Sequence, residues 1–370
     1  MSAATRLETG LGSWALQRYP RRSKDPLRAW CGADLLLIEA ASERQPSQCL
    51  VVNDEHGALS TALQPALSWT DSALAALATE SNLQSNALAP VPVCWSTSVP
   101  ALRPELVVLR VPKQTAYFEY QLAVLHALMP AGAELLCAGM DKHLSPHTAD
   151  TIARVFGPTE RHRGSRKARM FSTCRDDASP LATPLPSRYR CDALNAELVA
   201  MANVFSATSL DIGSRALIDK LHLLEPVPRV ADLACGNGVL GLCARQRGLG
   251  EEFHFFDESA MAIASAEENW QSLYPDEAAH FHHGDGLLAS TKQFDMILCN
   301  PPFHLGHSVD DFAGRRLLQQ CKTRLAPGGS LVVVANRHLA YAETLNQHFD
   351  QVSVLANDKK FQIWRAVSVA

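Results

Sequence analysis

The chain has 370 residues, a formal net charge of −4, and 47% apolar against 19% charged residues, a balance that excludes general intrinsic disorder. At about 100–200 residues per domain, this length predicts two domains, each long enough to bury a core. The longest apolar runs fall far short of the ~18 residues that a membrane span needs, and the first residues lack the apolar segment of a secretory signal. The ten cysteines contain no CxxC pair, which argues against a disulfide scaffold and against a zinc site. We therefore expect a cytoplasmic protein without a metal.

In the first half, short apolar strands alternate with helical segments. Strands are predicted over 49–53, 68–70 and 106–110. Gly57 follows the first strand, and Asp71 follows the second. A helix is predicted from Asp71 to Asn82. This alternation is typical of a parallel sheet with helical crossovers.

A basic run lies near the end of the first half. Over positions 154–175, one acid, Glu160, stands against seven basic residues: Arg154, Arg161, Arg163, Arg166, Lys167, Arg169 and Arg175. Such a run is typical of a solvated surface, and it equally suits the backbone of a nucleic acid. Because the net charge of the chain is negative, nucleic-acid binding would depend on a local patch of this kind.

A proline-containing segment separates the two halves. Three prolines stand among Ser and Thr residues over 180–186, and prolines at this density continue neither a helix nor a central strand. We predict a linker over 179–192, between a first domain over 1–178 and a second domain over 193–370.

The second half shows the same alternation more strongly. Strands are predicted over 229–233, 253–257, 294–299 and 330–335. Helices are predicted over 238–247, 259–270 and 312–325. Strands and helices in this order predict a parallel sheet covered by helices on both faces.

The order of these features repeats between the halves. Asp71 and Asn82 lie 11 residues apart in the first half, and Asp257 and Asn269 lie 12 residues apart in the second. Further matches follow in the same order, between 106–113 and 296–303, between 130–132 and 327–329, and between 142–144 and 337–339. Matches in one consistent order predict a duplicated fold, one copy of which has lost its motifs.

A glycine-rich turn follows the first predicted strand of the second half. Its sequence, Asp-Leu-Ala-Cys-Gly-Asn-Gly-Val-Leu-Gly, runs from Asp232 to Gly241. Gly236 and Gly238 allow the backbone to pass close to a ligand, and the N-terminus of the following helix favours polar ligand groups. An acid, Asp257, ends the next strand 19 residues after Gly238. The pattern fits two enzyme classes, a nicotinamide oxidoreductase and a methyltransferase that uses S-adenosylmethionine.

Three observations favour the methyltransferase. Asp232 lies four residues before Gly236, where its carboxylate would repel a pyrophosphate but suits the ammonium group of a methionine moiety. Asp285, between two glycines, offers an acceptor for an exocyclic adenine amine, whereas Asp257 suits ribose hydroxyls in either class. The fourth strand ends in Asn-Pro-Pro-Phe, residues 300–303, which dehydrogenase chemistry does not require. The alternative role for each carboxylate is a helix cap or a surface charge.

The Asn-Pro-Pro-Phe segment carries the groups that methylation of an exocyclic amine needs. Asn300 supplies a side-chain carbonyl and Pro301 a main-chain carbonyl, which together accept both N–H protons and direct the nitrogen lone pair toward the methyl donor. Pro301 and Pro302 stiffen the loop, and Phe303 offers a face on which a flipped-out base stacks. The alternative is an Asx–Pro turn at a strand end, with Phe303 in the core.

The equivalent segment of the first half has lost these groups. It consists of Arg110, Val111, Pro112 and Lys113, without an amide or an aromatic side chain, and only Gly57 remains of the glycine turn. We expect this half to bind neither the cofactor nor a target base. Its two cations, Arg110 and Lys113, suit a phosphate backbone instead.

Together these motifs resemble the bacterial rRNA guanine-N2 methyltransferases, the RsmC and RlmG group, with the large-subunit (23S) rRNA branch the most similar. The segments that support the resemblance span nearly the whole chain, at residues 16–20, 53–59, 167–169, 202–206, 210–213, 299–304 and 334–339.

The resemblance implies an α/β fold of two tandem class I (Rossmann-like) methyltransferase domains from a duplication, the N-terminal one degenerate. It implies methyl transfer from S-adenosylmethionine to N2 of one guanine in 23S rRNA, preferably as protein-free RNA, with S-adenosylhomocysteine as the product. A monomer without membrane contact is expected. The alternatives within the class are a 16S rRNA guanine-N2 methyltransferase and a protein glutamine or DNA adenine N-methyltransferase. The alternative from another class is a catalytically inactive RNA-binding or assembly factor.

The predicted site residues follow from the motifs and the resemblance together. The catalytic residues are Asn300, Pro301, Pro302 and Phe303. The cofactor-binding residues are Asp232, Ala234, Gly236, Gly238, Asp257 and Asp285. The RNA-facing residues of the first domain are Arg161, Arg163, Arg166, Lys167, Arg169, Arg110 and Lys113.

Two further features, Ala234 and residues 205–215, belong to the predicted site of the second domain. Ala234 stands where glycine is commoner in the family, and an alanine is expected to exclude a positive φ at low cost and to weaken cofactor approach at most. Residues 205–215 precede the first strand of the second domain, and they form either a lid over the cofactor or an ordinary helix cap.

Overall fold

Each half of the chain is built around its own parallel sheet. The computed structural model describes residues 5–22, 25, 27–44, 48–176, 182–302, 312–337, 341–357 and 359–368. The chain divides into two units, Met1–Leu185 and Pro186–Ala370. Within the described segments, no helix is long and apolar enough to cross a lipid bilayer.

The first unit begins with a β-hairpin and continues as a helix-covered sheet. The hairpin strands are β1 (Arg6–Thr9) and β2 (Gly12–Ala15). The sheet strands are β3 (Cys49–Val52), β4 (Leu67–Thr70), β5 (Val93–Trp95), β6 (Leu106–Arg110), β7 (Glu134–Met140), β8 (Glu160–Arg161) and β9 (Ala168–Cys174). The helices are α1 (Gly32–Ser42), α2 (Ala58–Leu63), α3 (Ala73–Ser85), α4 (Thr115–Leu128) and α5 (Thr148–Phe156).

The second unit repeats this plan. Its hairpin strands are β10 (Ser187–Cys191) and β11 (Ala196–Ala200). Its sheet strands are β12 (Val227–Leu233), β13 (Gly250–Asp257), β14 (His280–His283), β15 (Phe294–Cys299), β16 (Leu325–Asn336), β17 (Gln351–Asn357) and β18 (Phe361–Val367). Its helices are α6 (Ile212–Ile218), α7 (Val239–Gln246), α8 (Ala260–Leu273), α9 (Phe312–Arg324) and α10 (Tyr341–His348).

The two sheets have the same topology. The spatial order is β5-β4-β3-β6-β7-β9-β8 in the first unit and β14-β13-β12-β15-β16-β18-β17 in the second. Counted along the chain within each sheet, both orders are 3-2-1-4-5-7-6. In both, the first five strands are parallel and the last two form antiparallel pairs. The predicted α/β fold with two Rossmann-like domains is confirmed.

The duplication extends to individual hydrogen bonds. In the first unit, the buried Asn82 side chain of α3 binds the backbone N–H and C=O of Gln17 and the C=O of His56. In the second, the buried Asn269 of α8 binds the N–H and C=O of Val199 and the C=O of Asn237. Each asparagine thus ties the end of the hairpin, or the residues directly after it, to the turn after the first sheet strand.

Apolar residues on both faces of the central strands bury the second sheet. Val230 and Leu298 pack in the cluster on one face, and Ala231 and Ile297 pack in the cluster on the other. Successive residues of a strand point to opposite faces, so a strand covered on both faces is apolar at most of its positions. The polar residues that function requires therefore lie at strand ends rather than within the strands.

The expected linker includes a strand. Residues 187–191, within the predicted linker 179–192, form β10, and residues 177–181 lie outside the described part of the chain. Tyr189 and Cys191 are buried in the second unit's core, while Arg188 and Arg190 between them are exposed. This two-residue alternation is the signal for a half-buried strand, and the neighbouring prolines concealed it.

Candidate functional site

The carboxyl ends of three parallel strands meet at one edge of the second sheet. Leu233, the last residue of β12, pairs with Phe256 of β13 on one side and with Cys299 of β15 on the other. In the sheet, β13 lies on one side of β12 and β15 lies on the other, so the strand order reverses at β12. The edge at which these strands end is therefore a topological switch point. Such points are where open α/β sheets bind ligands. The glycine turn, Asp257 and Asn300 all begin there.

The turn after β12 has three residues in left-handed conformation. The φ angles are +57° at Ala234, +54° at Gly236 and +84° at Gly238. Among the described residues, a Cβ on Gly236 would meet no atom within 4 Å, so they leave open space at that position. A Cβ on Gly238 would lie 3.0 Å from the Cβ of Ala266, so packing against α8 requires glycine there.

The expectation for Ala234 was wrong. The alanine does not exclude a positive φ, because it adopts +57° in the folded turn. This conformation costs a residue with a Cβ about 1–2 kcal/mol, which the surrounding packing and hydrogen bonds offset. The backbone course of the turn is therefore the one that a glycine would give.

Asp232 is buried beneath the turn with one oxygen unpaired. Its Oδ2 accepts a hydrogen bond from the Gly241 N–H at 2.8 Å. Its Oδ1 is buried without a hydrogen-bond partner among the described residues. Burial raises the pKa of the Asp232 carboxyl to about 8. A buried acceptor in this state is suited to a cationic or N–H ligand group.

Asp257 is fixed beside the turn by two backbone bonds. Its Oδ2 accepts from the Gly236 N–H and its Oδ1 from the Ser259 N–H, both at 2.9 Å. A carboxylate has about four lone-pair positions, so each oxygen can accept a further hydrogen bond. The carboxylate is thereby held at the crevice in one orientation.

Asp285 is engaged by a residue that the sequence analysis did not single out. Both of its oxygens contact the guanidinium of Arg316 from α9, and Gln320 lies 3.4 Å away. The prediction that Asp285 accepts from an adenine amine is thus incomplete, because it did not include the ion pair with Arg316. The sequence gives no local signal for this pair, because Arg316 lies 31 residues further along the chain.

Asn300 follows β15 and is held by the N-terminal turn of α6. Its Nδ2 donates to Oδ2 of Asp211 and to Oγ of Ser214, both at 2.9 Å. Its Oδ1 is buried and has no hydrogen-bond partner within the described segments. Both amide hydrogens are therefore committed, and the carbonyl oxygen is left as a preset acceptor.

Asp211 and Ser214 are site residues that the sequence analysis did not assign. Asp211 is the N-cap of α6 and accepts from the Ser214 N–H at 2.9 Å. The helix cap expected within residues 205–215 is thus present, and it positions Asn300. Nearby, Pro301 is buried and Pro302 is exposed. Phe303, predicted as the stacking residue, lies outside the described residues.

The first unit has an arginine where the second has Asn300. Val52 pairs with Leu109 as Leu233 pairs with Cys299, so Arg110 takes the position of Asn300. This register agrees with the sequence alignment of the two halves. In the same alignment Gly57, with φ +79°, is the N-cap of α2 as Gly238 is of α7.

Arg110 is not a free surface cation, and the ion pair that holds it argues against its predicted role in RNA binding. Its guanidinium is largely buried and forms an ion pair with the buried Asp34 of α1. Burial alone would lower the pKa of the Arg110 guanidinium, but the Asp34 carboxylate raises it above the ordinary value. The Arg110 guanidinium also lies 3.9 Å from Glu55, the residue that takes the position of Gly236 in the first unit.

Exposed cations cluster on the first unit. Lys113 and Lys142 line a surface cavity of about 190 Å³, and Arg161 and Arg169 line another of about 340 Å³; both cavities share Leu144 and Ser145. Arg166 forms a two-bond ion pair with Glu39, and Arg169 lies 3.3 Å from Asp141. Across the residues that the structure describes, no ion pair holds Lys113, Arg161, Arg163 or Lys167, and all four are exposed.

The basic run includes a strained hairpin turn. Ser165 and Ala168 exchange backbone hydrogen bonds of 2.9 Å, so that Arg166 and Lys167 alone form the turn between them. Their φ angles are +53° and +58°, values at which such turns ordinarily have Asn and Gly. Non-glycine residues held in this conformation concentrate at functional sites.

Comparisons with known proteins cover both units. A family model described as the RLMG N-terminal domain matches residues 4–178, and one described as the Methyltransferase small domain matches residues 195–365. A protein of Alcanivorax borkumensis named "Ribosomal RNA large subunit methyltransferase G" is 40% identical over 96% of this chain and 95% of its own. A protein of the same name from Pseudomonas fluorescens is 39% identical over 95% of this chain and 96% of its own.

One solved structure matches the whole fold. It is described as the T. thermophilus 16S rRNA N2 G1207 methyltransferase (RsmC) in complex with AdoMet and guanosine. Its TM-score is 0.79 at 22% identity, over 98% of this chain and 97% of that one. At this identity the match establishes a shared fold.

Proposed function

This chain belongs to the ribosomal RNA large subunit methyltransferase G family, and from that premise we propose that its second unit methylates the exocyclic N2 of a specific guanine in 23S rRNA. It is an S-adenosylmethionine-dependent rRNA methyltransferase. The observation that carries the choice of an amino group as the target is Asn300, whose carbonyl oxygen is buried, unpaired and fixed in orientation. Such an acceptor is matched to an N–H donor.

The crevice fits S-adenosylmethionine. Oδ1 of Asp232 is an unpaired buried acceptor for the ammonium of the methionine moiety, and the open space at Gly236 admits the ligand against the backbone of residues 234–238. Asp257, which the N–H groups of Gly236 and Ser259 hold in one orientation, is the acceptor for the ribose hydroxyls. Asp285, shared with Arg316, is the acceptor for the adenine amine. When bound, the cofactor supplies a methyl group activated by a positively charged sulfur.

The residues after β15 hold the target amine. Oδ1 of Asn300 and the main-chain carbonyl of Pro301 each accept one N–H, so that the nitrogen lone pair faces the methyl group. Asp211 and Ser214 maintain the orientation of the Asn300 amide throughout. Pro302 restricts the loop, and Phe303 is the stacking face for the flipped base. The nitrogen becomes acidic after transfer, so water takes the proton.

A transfer experiment tests this function. Radiolabelled S-adenosylmethionine is supplied with purified 23S RNA, 16S RNA, DNA or protein, and the labelled nucleotide is mapped. Label in N2-methylguanine of protein-free 23S RNA is the expected result. Label only in 16S RNA would move the assignment to the small subunit, and label only in DNA or protein would refute the RNA target. An absence of label in every substrate would support an inactive RNA-binding factor.

Binding of S-adenosylmethionine is expected to release a proton near pH 7. The free Asp232 carboxyl has a pKa of about 8 because of its burial, so it is mostly protonated at pH 7. The ammonium stabilises the carboxylate and lowers this pKa, so affinity should rise with pH up to about 8 and level off above it. Calorimetry at pH 7 in two buffers of different ionisation enthalpy measures the release. Asp232→Asn should abolish the buffer dependence; a wild-type enthalpy independent of buffer would contradict the role of Asp232.

The first unit serves RNA binding in this proposal. Its domain spans 1–178, and the catalytic domain spans 193–370. The exposed cations Lys113, Arg161, Arg163 and Lys167 contact backbone phosphates, and Lys142 extends the same surface. Arg166 and Arg169 contribute beside their acidic partners. The enzyme acts as a cytoplasmic monomer on protein-free RNA.

Lys167→Gly is expected to stabilise the fold and weaken RNA binding. Glycine relieves the strain of φ +58°, for a gain of about 1 kcal/mol, while the loss of one phosphate contact lowers the slope of log affinity against log salt by about 1. Thermal unfolding and salt titration of RNA binding measure the two effects. Ala87→Gly is the matched control, since Ala87 is exposed with φ +53° and no charge, and should change stability alone. RNA affinity of Lys167→Gly equal to that of the control would rule out the phosphate contact.

A further inference from the structure

Three side chains of metal-ligand type converge near the outer edge of the second sheet, away from the glycine turn. They are Glu252 and His254 on β13 and His280 on the edge strand β14. His254 and His280 are direct partners in the strand register, and Glu252 lies two residues before His254 on the same face. One ligand atom from each lies within 4.8 Å of the others. The expectation of a protein without a metal was based on the spacing of the cysteines, and none of these three residues is a cysteine.

The buried member of the cluster is held in a fixed orientation. His254 is 1% exposed, and its Nε2 lies 2.8 Å from Oε1 of Glu252. Its other ring nitrogen, Nδ1, lies 2.9 Å from Nε2 of His282. In metal sites, the ring nitrogen that does not bind the ion is almost always hydrogen-bonded, and His282 provides that partner here.

The third member gives access from solvent. His280 has a side chain 48% exposed, its Nε2 lies 3.4 Å from Oε1 of Glu252, and its ring stacks on His254 with centroids 4.4 Å apart. An ion can therefore reach the buried His254 nitrogen without opening the sheet.

We propose that Glu252, His254 and His280 bind one transition-metal ion of the Zn²⁺ class. Two imidazoles and a carboxylate are a donor set that suits zinc and disfavours magnesium and calcium. With bonds of about 2.0–2.1 Å in a tetrahedron, ligand atoms lie about 3.3 Å apart. The Glu252–His280 distance already matches this, and the Glu252–His254 distance widens by about 0.5 Å on binding. A water molecule completes the coordination.

One residue competes with the ion. The ammonium of Lys292 contacts the same Oε1 of Glu252 and, at 44% exposed, can move away into solvent. Metal binding therefore exchanges the lysine for the ion at the carboxylate. This competition makes Lys292 a sensitive probe, because its removal should favour the metal only when Glu252 is a ligand.

A bound ion would join the edge strand β14 to β13. The last residues of β14 lead directly to Gly284 and Asp285, so the ion would also restrain the segment that holds Asp285 at the opposite end of the strand. The proposed site makes no contact with the methyl-transfer residues and stands independently of the proposed function.

Metal titration of the full chain tests the proposal. After treatment with chelator, wild-type protein and three variants are titrated with Zn²⁺ alone by calorimetry, and with Co²⁺ followed by its visible absorption. Wild-type protein should bind one equivalent, His280→Ala should bind at least about 10-fold more weakly, and Lys292→Gln more tightly. His222→Ala, which removes an exposed histidine elsewhere in the same unit, should equal wild type.

The opposite results overturn it. Absence of Zn²⁺ binding by the wild-type chain, including the case in which only Lys292→Gln binds, excludes a native site. Equal affinity of His280→Ala and wild type assigns any observed binding to other surface histidines. Because the readout is binding rather than methyl transfer, failure here leaves the catalytic proposal untouched.

Discussion

Asn300→Ala is expected to reduce methyl transfer by at least about 100-fold while S-adenosylmethionine still binds with wild-type affinity. Removal of one preorganised polar group at a reacting centre costs about 10²–10³ in turnover. Asn300 is such a group, because Asp211 and Ser214 fix its amide and leave Oδ1 buried and unpaired. Single-turnover transfer to 23S RNA measures the rate, and calorimetry measures cofactor binding.

Two further variants separate a catalytic from a structural role of Asn300. Ser214→Ala removes one of the two acceptors that hold the amide, so turnover should fall by about 10-fold through looser positioning rather than through loss of the acceptor. Asn346→Ala removes an exposed amide of α10 in the same unit and should leave turnover unchanged. Near-wild-type turnover of Asn300→Ala would refute its role in catalysis. Loss of cofactor binding and melting temperature together with turnover would indicate a structural role instead.

Gly236→Ala should lower affinity for S-adenosylmethionine by at least about 10-fold, or 1.4 kcal/mol, in a protein that still folds. The added methyl lies more than 4 Å from every atom of the described part of the chain, so it projects into the space that we assign to the cofactor. The φ of +54° costs an alanine about 1–2 kcal/mol, which a domain of ordinary stability tolerates. Calorimetric titration and thermal unfolding of the same preparation measure both quantities.

Gly248→Ala provides a control with the same backbone strain. Gly248 has φ +70° and open space around its Cβ position, and it lies before β13, at the opposite edge of the sheet from the turn. It should lose similar stability and keep full cofactor affinity. Equal affinity losses in the two variants, or none in Gly236→Ala, would show that the crevice beside Gly236 is not the cofactor site.

Patterns within short segments predicted the fold well. The predicted strand over 294–299 coincides with β15, and the predicted helix over 312–325 ends within a residue of α9. The repeat of turn, acid and asparagine predicted the duplication, since each feature depends on neighbours in the sequence. Local motifs also placed the glycine turn and Asn300 at the same sheet edge, because parallel strands end together.

Contacts between residues that lie far apart along the chain were not predicted from the sequence. The sequence predicted that Arg110 binds phosphate, whereas in the structure it contacts Asp34, which lies 76 residues away along the chain. Asn300 gained its orientation from Asp211, 89 residues away. Ala234 adopts a positive φ because tertiary contacts outweigh its intrinsic preference. In each case the packing of the whole unit determines the partner or the conformation of the residue.

The buried Arg110–Asp34 pair bears on how the two halves diverged. The two halves differ at equivalent positions, where the first half has Arg110 and the second half has Asn300. Replacement of Arg110 alone would leave the buried Asp34 carboxylate without its partner, which costs about 3–5 kcal/mol of stability. Restoration of chemistry in this half would therefore need simultaneous substitutions, each harmful by itself. The buried pair therefore opposes any return of the first half to the arrangement of the second by single substitutions.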